Sequence, residues 1–323
     1  MRVFVARRLP GGALDRLAAE HEVEVWSERL PPPASALRER GARVEGLLTL
    51  LTDPVDAALL EAASGLRAIS NYAVGVDNVD LEAATARGLP VGNTPGVLTE
   101  STADLALALM LGIGRRLAEG DAYVRRGEWR TWEPGLLLGR DLHGATVGIV
   151  GFGRIGRAVG RRLEGFGCEV LHASRGGGVE LDELLERSDV VTLHCPLTPD
   201  TRGLIDDAAL GRMKPTAVLV NTARGPIVDT DALVRALRAG EIAGAALDVT
   251  DPEPLPGDHP LLEAPNLLVL PHLGSATHAT RERMADMAVD NLLAGLAGER
   301  MPNCANPEVY GERVRSGPTR PAP

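Results

Sequence analysis

Lysine is almost absent from this sequence. Of its 34 basic residues only one, Lys214, is a lysine, and the remaining 33 are arginines. Schiff-base enzymes need a lysine amine, and P-loop nucleotide-binding proteins need a lysine directly after a glycine. Lys214 stands in the sequence Arg-Met-Lys-Pro, which fits neither context. The near-absence of lysine therefore excludes pyridoxal enzymes, Schiff-base aldolases and P-loop kinases.

Long apolar runs are also missing. The longest nearly uncharged stretch, 106–114, falls far short of the roughly 18 to 20 residues that a membrane helix needs. At the amino terminus only residues 3–6 separate Arg2 from Arg7, which is too short for the apolar core of a secretory signal. The three cysteines form no Cys-x-x-Cys pair, which argues against a disulfide framework or a zinc ribbon. We expect a cytoplasmic protein.

Positive charge is in deficit as well. The net charge of −10 predicts no broad basic surface and argues against nucleic acid as a partner. An acidic protein must bind anions with a few well-placed cations. The planar guanidinium of arginine suits this task, because it binds a carboxylate through two parallel hydrogen bonds and never loses its charge.

The chain alternates between strand-like and helix-like segments. Its 323 residues predict about two domains of roughly 150 residues each. The first hundred residues, beginning with the apolar stretch 3–6, are typical of a small α/β unit with a parallel sheet. A long helix is predicted from Glu100 to about Gly120, and 101–104 has the pattern of a capping box. The tail 311–323, rich in proline, glycine and arginine, is predicted to be disordered.

A second alternating series begins at Thr146 and predicts a larger parallel sheet. Its six predicted strands are 146–151, 169–173, 189–193, 216–221, 244–248 and 267–271. The predicted fold class is therefore α/β, with a Rossmann-type doubly wound coenzyme domain and a flavodoxin-like α/β substrate domain.

A glycine-rich loop links the first of these strands to a helix. Gly151, Gly153 and Gly156 form the pattern Gly-x-Gly-x-x-Gly between a predicted strand and a predicted helix. The first glycine permits the tight turn, the second lets backbone N–H groups approach a pyrophosphate, and the third lets the helix pack on the strand. The helix amino terminus adds partial positive charge. This context predicts a dinucleotide site.

The end of the next strand indicates which dinucleotide binds. An NAD enzyme carries Asp or Glu there, about 20 residues after the glycine loop, to hold the ribose hydroxyls. This sequence has Ser174 and Arg175 instead, which could bind a 2′-phosphate through charge-assisted hydrogen bonds. We predict that NADPH is preferred over NADH. The alternative is that Arg175 is a solvated loop residue that at most stacks on adenine.

Three further strand ends carry an unusual set of side chains. In an open parallel sheet, ligands bind beyond the carboxyl ends of the strands. Arg224, Glu253 and His272 follow the strands 216–221, 244–248 and 267–271. This set suits the reduction of a 2-keto acid: Arg224 would bind the carboxylate and polarise the carbonyl, and His272 would donate the proton. Glu253 would hydrogen-bond the other imidazole nitrogen and orient the ring. Each could instead be an ordinary surface or turn residue.

The sequence offers candidates for a nucleophile and for a metal site, and we assign neither function to them. The segment His194, Cys195 and Pro196 also ends a strand, and we interpret it as backbone beside the adenosine. Cys195 has no activating partner in the sequence, which argues against a nucleophile. His272 and His278 lack carboxylate-rich surroundings, and we predict no metal.

Four motifs in order resemble the NAD(P)-dependent D-2-hydroxyacid dehydrogenases, and the resemblance extends from residue 1 to about 303. They are Val-Gly-Ile-Val-Gly-Phe-Gly-Arg-Ile-Gly, Asn-Thr-Ala-Arg-Gly, Asp-Val-Thr-Asp-Pro-Glu-Pro and Pro-His-Leu-Gly-Ser-Ala-Thr. The resemblance implies that Arg224, Glu253 and His272 are catalytic. It also implies that Asp248 meets the nicotinamide amide. The other predicted cofactor contacts, beyond those named above, are Thr102, Arg154, Ile155, Thr201, Thr222, Ala223 and Gly274.

Within that family, 71–78, 94–104 and the motif Leu-Pro-Gly-Asp-His-Pro-Leu-Leu resemble the glyoxylate/hydroxypyruvate reductases. This branch implies that the backbone at Val74 and Gly75 meets the substrate carboxylate. It also implies a homodimer in which Trp132 reaches the neighbouring subunit's substrate site. One departure is the short loop after Ser174, where relatives often carry more basic residues.

The family also interleaves its two domains along the chain. The resemblance implies a substrate domain of 1–99 and 287–310 and a coenzyme domain of 100–286. The predicted reaction is reduction of glyoxylate to glycolate and of hydroxypyruvate to D-glycerate. Two alternatives stay open: another 2-keto acid, such as 2-ketogluconate or phosphohydroxypyruvate, and a non-catalytic dinucleotide-sensing interaction protein.

Overall fold

A computed structural model of the protein describes residues 1–311, so the predicted disordered tail, apart from Gly311, lies outside the described residues. The chain forms two compact units, one made of Met1–Val97 with the chain from Thr277 onward and one made of Leu98–Ala276. The return to the first unit therefore comes ten residues before the 287 drawn from the resemblance. It comes there because one continuous helix, His278–Ala297, begins directly after Thr277.

The first unit contains a five-stranded parallel sheet in the order β2-β1-β3-β4-β5. This 2-1-3-4-5 order is the flavodoxin-like arrangement. Strands β3 and β4, which lie between β1 and β5 in this order, are buried along their whole length. The strands are β1 (Arg2–Val5), β2 (Glu22–Val25), β3 (Gly46–Thr49), β4 (Ala68–Asn71) and β5 (Val91–Gly92).

Helices pack on both faces of this sheet through apolar side chains. Two of the short ones begin at an aspartate, Asp56 and Asp80, whose carboxylates accept the N–H three residues on. The helices are α1 (Ala13–Glu20), α2 (Ala34–Gly41), α3 (Ala57–Ala62), α4 (Leu81–Ala86) and, at the end of the chain, α11 (His278–Ala297). Helices α2 and α4 are short, and each buries only one or two residues.

The second unit contains a seven-stranded sheet in the order β12-β11-β10-β9-β6-β7-β8. All pairs are parallel except β7 with β8, and this confirms the predicted parallel α/β class. The chain crosses over between β6 and β9, and this is the switch point at which such sheets bind ligands. The strands are β6 (Thr146–Val150), β7 (Glu169–Ser174), β8 (Gly177–Gly178), β9 (Val190–Leu193), β10 (Val218–Asn221), β11 (Gly244–Leu247) and β12 (Leu267–Val269).

The helices of the second unit cover both faces of its sheet. They are α5 (Thr99–Gly114), α6 (Leu117–Arg125), α7 (Arg154–Glu164), α8 (Leu181–Arg187), α9 (Asp207–Arg212) and α10 (Thr230–Ala239). At the amino edge of the sheet, the ammonium of Lys214 lies 2.8 Å from the carboxylate of Asp189, which also accepts the N–H of Thr146. No helix within residues 1–311 has the length and apolar character needed to cross a bilayer.

The single helix predicted from residue 100 to about 120 was wrong, because the structure has two helices there. Arg116 separates α5 from α6 with a left-handed backbone, at a φ of 52°. The predicted capping box was also wrong: α5 begins at Thr99, and Ser101 donates its hydroxyl hydrogen to the carbonyl of Leu98 instead of capping the helix.

Candidate active site

The glycine loop connects β6 to α7 at the carboxyl edge of the second sheet. Gly151 has a φ of 92°, and a Cβ there would lie 2.4 Å from the backbone nitrogen of Cys195. A Cβ on Gly156 would lie 2.3 Å from the carbonyl oxygen of Gly151. A Cβ on Gly153 would meet no atom of residues 1–311 within 4 Å. The first and third glycines are thus needed for packing within the protein, and the second has open space beside it, as expected of a glycine that lets backbone N–H groups approach a pyrophosphate.

A tight hairpin follows β7 beside this loop. Ser174 pairs with Gly177 across the turn and donates its hydroxyl hydrogen to the Gly177 carbonyl at 3.0 Å. Arg175 lies at the exposed tip. The loop and β7 are joined, because the N–H of Gly151 donates to the carbonyl of Ala173 at 2.9 Å. The hairpin therefore presents Arg175 at the strand end where a dinucleotide's ribose would lie.

An aromatic stack that was not predicted from the sequence joins the glycine loop to β7. The ring of Phe152, inside the glycine loop, stacks on the imidazole of His172 with centroids 4.1 Å apart and an interplanar angle of 13°. The guanidinium of Arg157 lies over the same Phe152 ring, 5.1 Å from its centroid. The spacing of these three residues gives no signal in the sequence, because Phe152 and His172 meet only through the pairing of β6 with β7.

The end of β9 places His194 and Cys195 against the glycine loop. The imidazole of His194 lies between the hydroxyls of Thr192 at 2.9 Å and Thr222 at 3.3 Å. The residue as a whole keeps some exposed surface, but its ring is enclosed, and this burial lowers the pKa of His194 to about 3. Burial raises the pKa of the Cys195 thiol, which disfavours the reactive thiolate. Thr201 donates its hydroxyl hydrogen to the Pro196 carbonyl at 2.6 Å and closes this turn.

Arg224 follows β10 on a turn that is fixed by an asparagine. The side-chain amide of Asn221 donates to the Arg224 carbonyl at 2.8 Å and accepts the N–H of Ala223 at 3.0 Å. Gly225 must be a glycine, because a Cβ there would lie 1.9 Å from the carbonyl oxygen of Thr250. The sequence reading found Arg224 but not the residues that fix its backbone.

His272 and Glu253 form a close pair at the same edge of the sheet. Nδ1 of His272 lies 2.6 Å from Oε1 of Glu253, and the two side chains are 25% and 28% exposed. The other carboxylate oxygen of Glu253 accepts the N–H of Thr250 at 3.4 Å. Because Nδ1 is engaged, Nε2 of the imidazole is the nitrogen left to exchange a proton with a ligand.

Asp248, at the end of β11, holds the turn that carries His272. Its two carboxylate oxygens accept the N–H groups of Leu273 at 2.6 Å and Gly274 at 2.8 Å. Thr102 donates its hydroxyl hydrogen to the Gly274 carbonyl at 3.2 Å. Burial raises the pKa of Asp248, while the two N–H donors and the neighbouring His272 oppose that rise. His272 itself has a left-handed backbone with a φ of 57°.

The second unit thus brings together most of the residues predicted from the sequence. The glycine loop, the Ser174 hairpin, the turn at 194–196 and the three predicted catalytic residues all follow carboxyl ends of strands in one sheet. Trp132 lies in the segment after α6 and is 78% exposed. Within residues 1–311, no group of three histidine, cysteine or carboxylate side chains is arranged to hold a metal ion.

Val74 and Gly75 belong to the first unit, in the loop 72–78 that follows β4. Both residues are partly exposed. Among the described residues, no protein group accepts a hydrogen bond from the N–H of either one. Two adjacent N–H groups without a protein acceptor are suited to binding an anion.

Comparison with known proteins gives concordant matches. The sequence model of the family described as "D-isomer specific 2-hydroxyacid dehydrogenase, NAD binding domain" matches residues 107–274. A protein of Korarchaeum cryptofilum named glyoxylate reductase is 49% identical, and the alignment covers 97% of this chain and 98% of that protein.

Solved structures agree with the sequence matches. A protein of Thermus thermophilus is 52% identical with a TM-score of 0.90, over 94% of this chain and 100% of that one. A further similar structure is an NADPH-dependent glyoxylate/hydroxypyruvate reductase from Sinorhizobium meliloti in complex with NADP and malonate. It is 34% identical with a TM-score of 0.83, over 95% of this chain and 97% of that one.

Proposed function

Because the chain belongs to the D-isomer specific 2-hydroxyacid dehydrogenases, we propose that it reduces glyoxylate to glycolate and hydroxypyruvate to D-glycerate. The observation that carries this proposal is the pair of His272 and Glu253, 2.6 Å apart, at the same sheet edge as a glycine loop with room for a phosphate. A dinucleotide-binding protein without turnover has no need of an oriented proton donor there.

His272, Arg224 and Glu253 have distinct roles in this proposal. His272 donates a proton from Nε2 to the carbonyl oxygen, and Glu253 keeps the imidazole in the required orientation. Arg224 binds the keto acid and stabilises the negative charge that develops on the carbonyl oxygen. The nicotinamide dinucleotide supplies the hydride when bound, and the glycine loop and the amino terminus of α7 hold its pyrophosphate.

The first unit contributes the loop 72–78 to substrate recognition. We propose that the N–H groups of Val74 and Gly75 bind the carboxylate of the keto acid, since neither has an acceptor among residues 1–311. The stretch 71–78 contains no Lys, Arg or His, and a phosphorylated substrate would need an additional cation. This favours glyoxylate and hydroxypyruvate over phosphohydroxypyruvate.

For the cofactor we propose a preference for NADPH over NADH. Arg175 lies exposed at the tip of the β7–β8 hairpin, and the stretch 172–178 has no carboxylate that would repel a 2′-phosphate. The Sinorhizobium meliloti reductase described above is itself NADPH-dependent. A cytoplasmic location stays a prediction from the sequence.

We also propose that the protein is a homodimer. Helix α6 buries none of its residues within the described chain, and the segment after it exposes 60% of Trp129, 78% of Trp132 and 69% of Leu138. Clustered exposed aromatic and aliphatic side chains are typical of a protein interface. Sedimentation equilibrium at micromolar protein should give twice the chain mass. A monomer at that concentration would contradict the proposal.

The reaction is tested by steady-state assays of the purified protein with a panel of keto acids and both reduced nicotinamide cofactors. We expect the highest kcat/KM with glyoxylate or hydroxypyruvate and NADPH. A higher value with 2-ketogluconate or phosphohydroxypyruvate would move the assignment to that substrate. Cofactor binding without turnover of any keto acid would favour the sensing protein over the enzyme.

A further inference from the structure

The carbonyl groups of four consecutive residues in the loop 72–78 are all held by hydrogen bonds from the first unit. The carbonyl of Ala73 accepts from the N–H of Thr94 at 2.8 Å, and that of Val74 accepts from Nδ2 of Asn93 at 2.8 Å. The carbonyl of Gly75 accepts from Nδ2 of Asn71 at 3.1 Å, and that of Val76 accepts from the N–H of Val79 at 3.0 Å. Two of these four donors are asparagine side chains.

Fixing a carbonyl also fixes the next N–H. The peptide group is planar and trans, so the N–H of one residue points away from the carbonyl of the residue before it. The bond from Asn93 to the Val74 carbonyl therefore orients the N–H of Gly75. In the same way, the bond from Asn71 to the Gly75 carbonyl orients the N–H of Val76.

Both asparagines are themselves held firmly. The side chain of Asn71 is fully buried, and its Oδ1 accepts the hydroxyl hydrogen of Thr49 at 3.0 Å. Asn78 accepts from Asn71 at 3.0 Å and donates to the carbonyls of Leu50 and Asp53 at 3.0 and 2.9 Å. The loop is thus tied to the turn that follows β3 through two amide side chains.

Asn93 is fixed through its backbone. Its carbonyl accepts from Nδ2 of Asn291, on α11, at 2.8 Å, and its N–H donates to the Asn303 carbonyl at 3.3 Å. The donor that orients the Gly75 N–H therefore has little freedom to follow the loop if the loop moves.

We propose that Asn93 and Asn71 are positioning residues: Asn93 turns the N–H of Gly75 toward the carboxylate of the keto acid, and Asn71 holds the carbonyl oxygen of Gly75 away from that carboxylate. This inference rests on the proposed function, because it takes the Val74 and Gly75 N–H groups to bind that carboxylate. The asparagines do not touch the substrate. They act by preventing the Val74–Gly75 and Gly75–Val76 peptides from rotating, which would aim a carbonyl oxygen at the anion.

The test is the variant Asn93→Ala, which removes the donor to Val74 and leaves the backbone bonds of residue 93 in place. We expect the KM for glyoxylate to rise about tenfold, with kcat within about threefold of wild type and the Kd for NADPH unchanged. The matched control is Trp26→Phe, which removes another side-chain N–H donor to a loop carbonyl in the same unit, that of Leu30 at 2.9 Å. This control should lower the melting temperature without raising KM.

A second variant and a second measurement separate failure of the proposed function from failure of the inference about the asparagines. Asn71→Ala should raise KM as well, but its buried site makes a loss of folding possible, so Asn93→Ala decides. Hydrogen–deuterium exchange of the peptide covering 72–78 should be faster in Asn93→Ala than in wild type, and unchanged in Trp26→Phe. If wild type reduces no keto acid, the proposed function has failed, and the exchange rates still test whether Asn93 holds the loop. An unchanged KM in an active Asn93→Ala enzyme, or unchanged exchange, would overturn the inference.

Discussion

His272 combines an imidazole that is paired with Glu253 with a backbone conformation that residues other than glycine rarely adopt. A left-handed φ on a residue other than glycine costs on the order of 1–2 kcal/mol, and here φ is 57°. Asp248 offsets that cost with two charge-assisted hydrogen bonds to the next two N–H groups. The conformation aims the ring at Glu253, so in the proposed mechanism strain at this position is part of how the proton donor is placed.

The catalytic role of His272 is tested by replacing it with alanine. We expect His272→Ala to lower kcat by about 10²- to 10⁴-fold, because the proton would then have to come from solvent. The Kd for NADPH should stay within a small factor of wild type. His278→Ala, which changes an exposed histidine at the start of α11, should leave kcat unchanged. A His272→Ala enzyme with near-wild-type kcat/KM would remove His272 from the mechanism.

The role of Arg175 is tested by reversing its charge. Arg175→Asp should weaken NADPH binding far more than NADH binding, because a carboxylate repels a 2′-phosphate and can accept from ribose hydroxyls. The Kd values for both cofactors, measured by fluorescence titration, give the comparison. Equal losses for both cofactors would mean that Arg175 only stacks or is solvated.

The sequence pointed to candidate catalytic side chains more readily than to the side chains that hold the backbone around them. Arg224, Glu253 and His272 stood out because a cation, a carboxylate and an imidazole followed three strand ends. Asn93 and Asn221 gave no such signal, because each acts on a main-chain carbonyl whose position depends on the folded loop. Their partners cannot be read from spacing.

Among the elements, the apolar strands of the second sheet followed their hydrophobic pattern, whereas the glycine strand β8 and the break in the helix predicted from residue 100 did not. The six strands of the second series were predicted within a few residues of their ends, because a parallel sheet buried on both faces needs continuous apolar runs. Strand β8 was missed, since Gly177 and Gly178 have no side chains to form a pattern. The break at Arg116 was missed because nothing in the residue itself demands a left-handed backbone.

The β7–β8 hairpin offers a matched pair of glycines. Gly177 and Gly178 both have positive φ, at 120° and 113°, but a Cβ on Gly178 would lie 1.9 Å from the carbonyl oxygen of His172, while one on Gly177 would meet no described atom within 4 Å. Gly177→Ala should lower the free energy of unfolding by about 1–3 kcal/mol through backbone strain alone. Gly178→Ala should lower it further.

The same two glycine variants also test whether the hairpin positions Arg175 for NADPH binding. Since the steric clash at residue 178 pushes the hairpin away from β7 and moves Arg175, Gly178→Ala should also weaken NADPH binding more than Gly177→Ala does. Thermal unfolding and NADPH titration of the two variants provide the measurement. Indistinguishable variants would show that the hairpin adapts without moving Arg175.

For the molecule as a whole, the presence of two separate sheets follows from the two successive α/β series along the chain. The sequence predicted the class of both units, because alternation of strands and helices allows few topologies. It did not give the strand order, which depends on long-range pairing, such as the crossover that brings β9 beside β6.

The acid stability of the whole molecule should depend on His194. Its pKa is about 3 in the folded protein and has an ordinary value of 6.5 when solvent-exposed. Below about pH 6.5 the unfolded chain therefore binds a proton that the folded protein does not, so stability falls as the pH falls toward 3. His194→Gln should reduce the loss of unfolding free energy between about pH 7.5 and pH 5.

Denaturant unfolding at several pH values measures this effect. His278→Gln, the same change at an exposed position, is the control for the substitution itself. If His194→Gln and wild type lose stability in parallel as the pH falls, folding does not lower the pKa of His194.

Lys214, the partner of Asp189 in the ion pair described above, makes this protein convenient for site-directed spectroscopy. Since Lys214 is the sole side-chain amine in the sequence and is 36% exposed, an amine-directed dye has one side-chain target without any engineering. That target lies at the amino edge of the second sheet, opposite the strand ends that carry the glycine loop. A fluorophore there could follow nucleotide titrations by polarisation while leaving the pocket chemistry untouched.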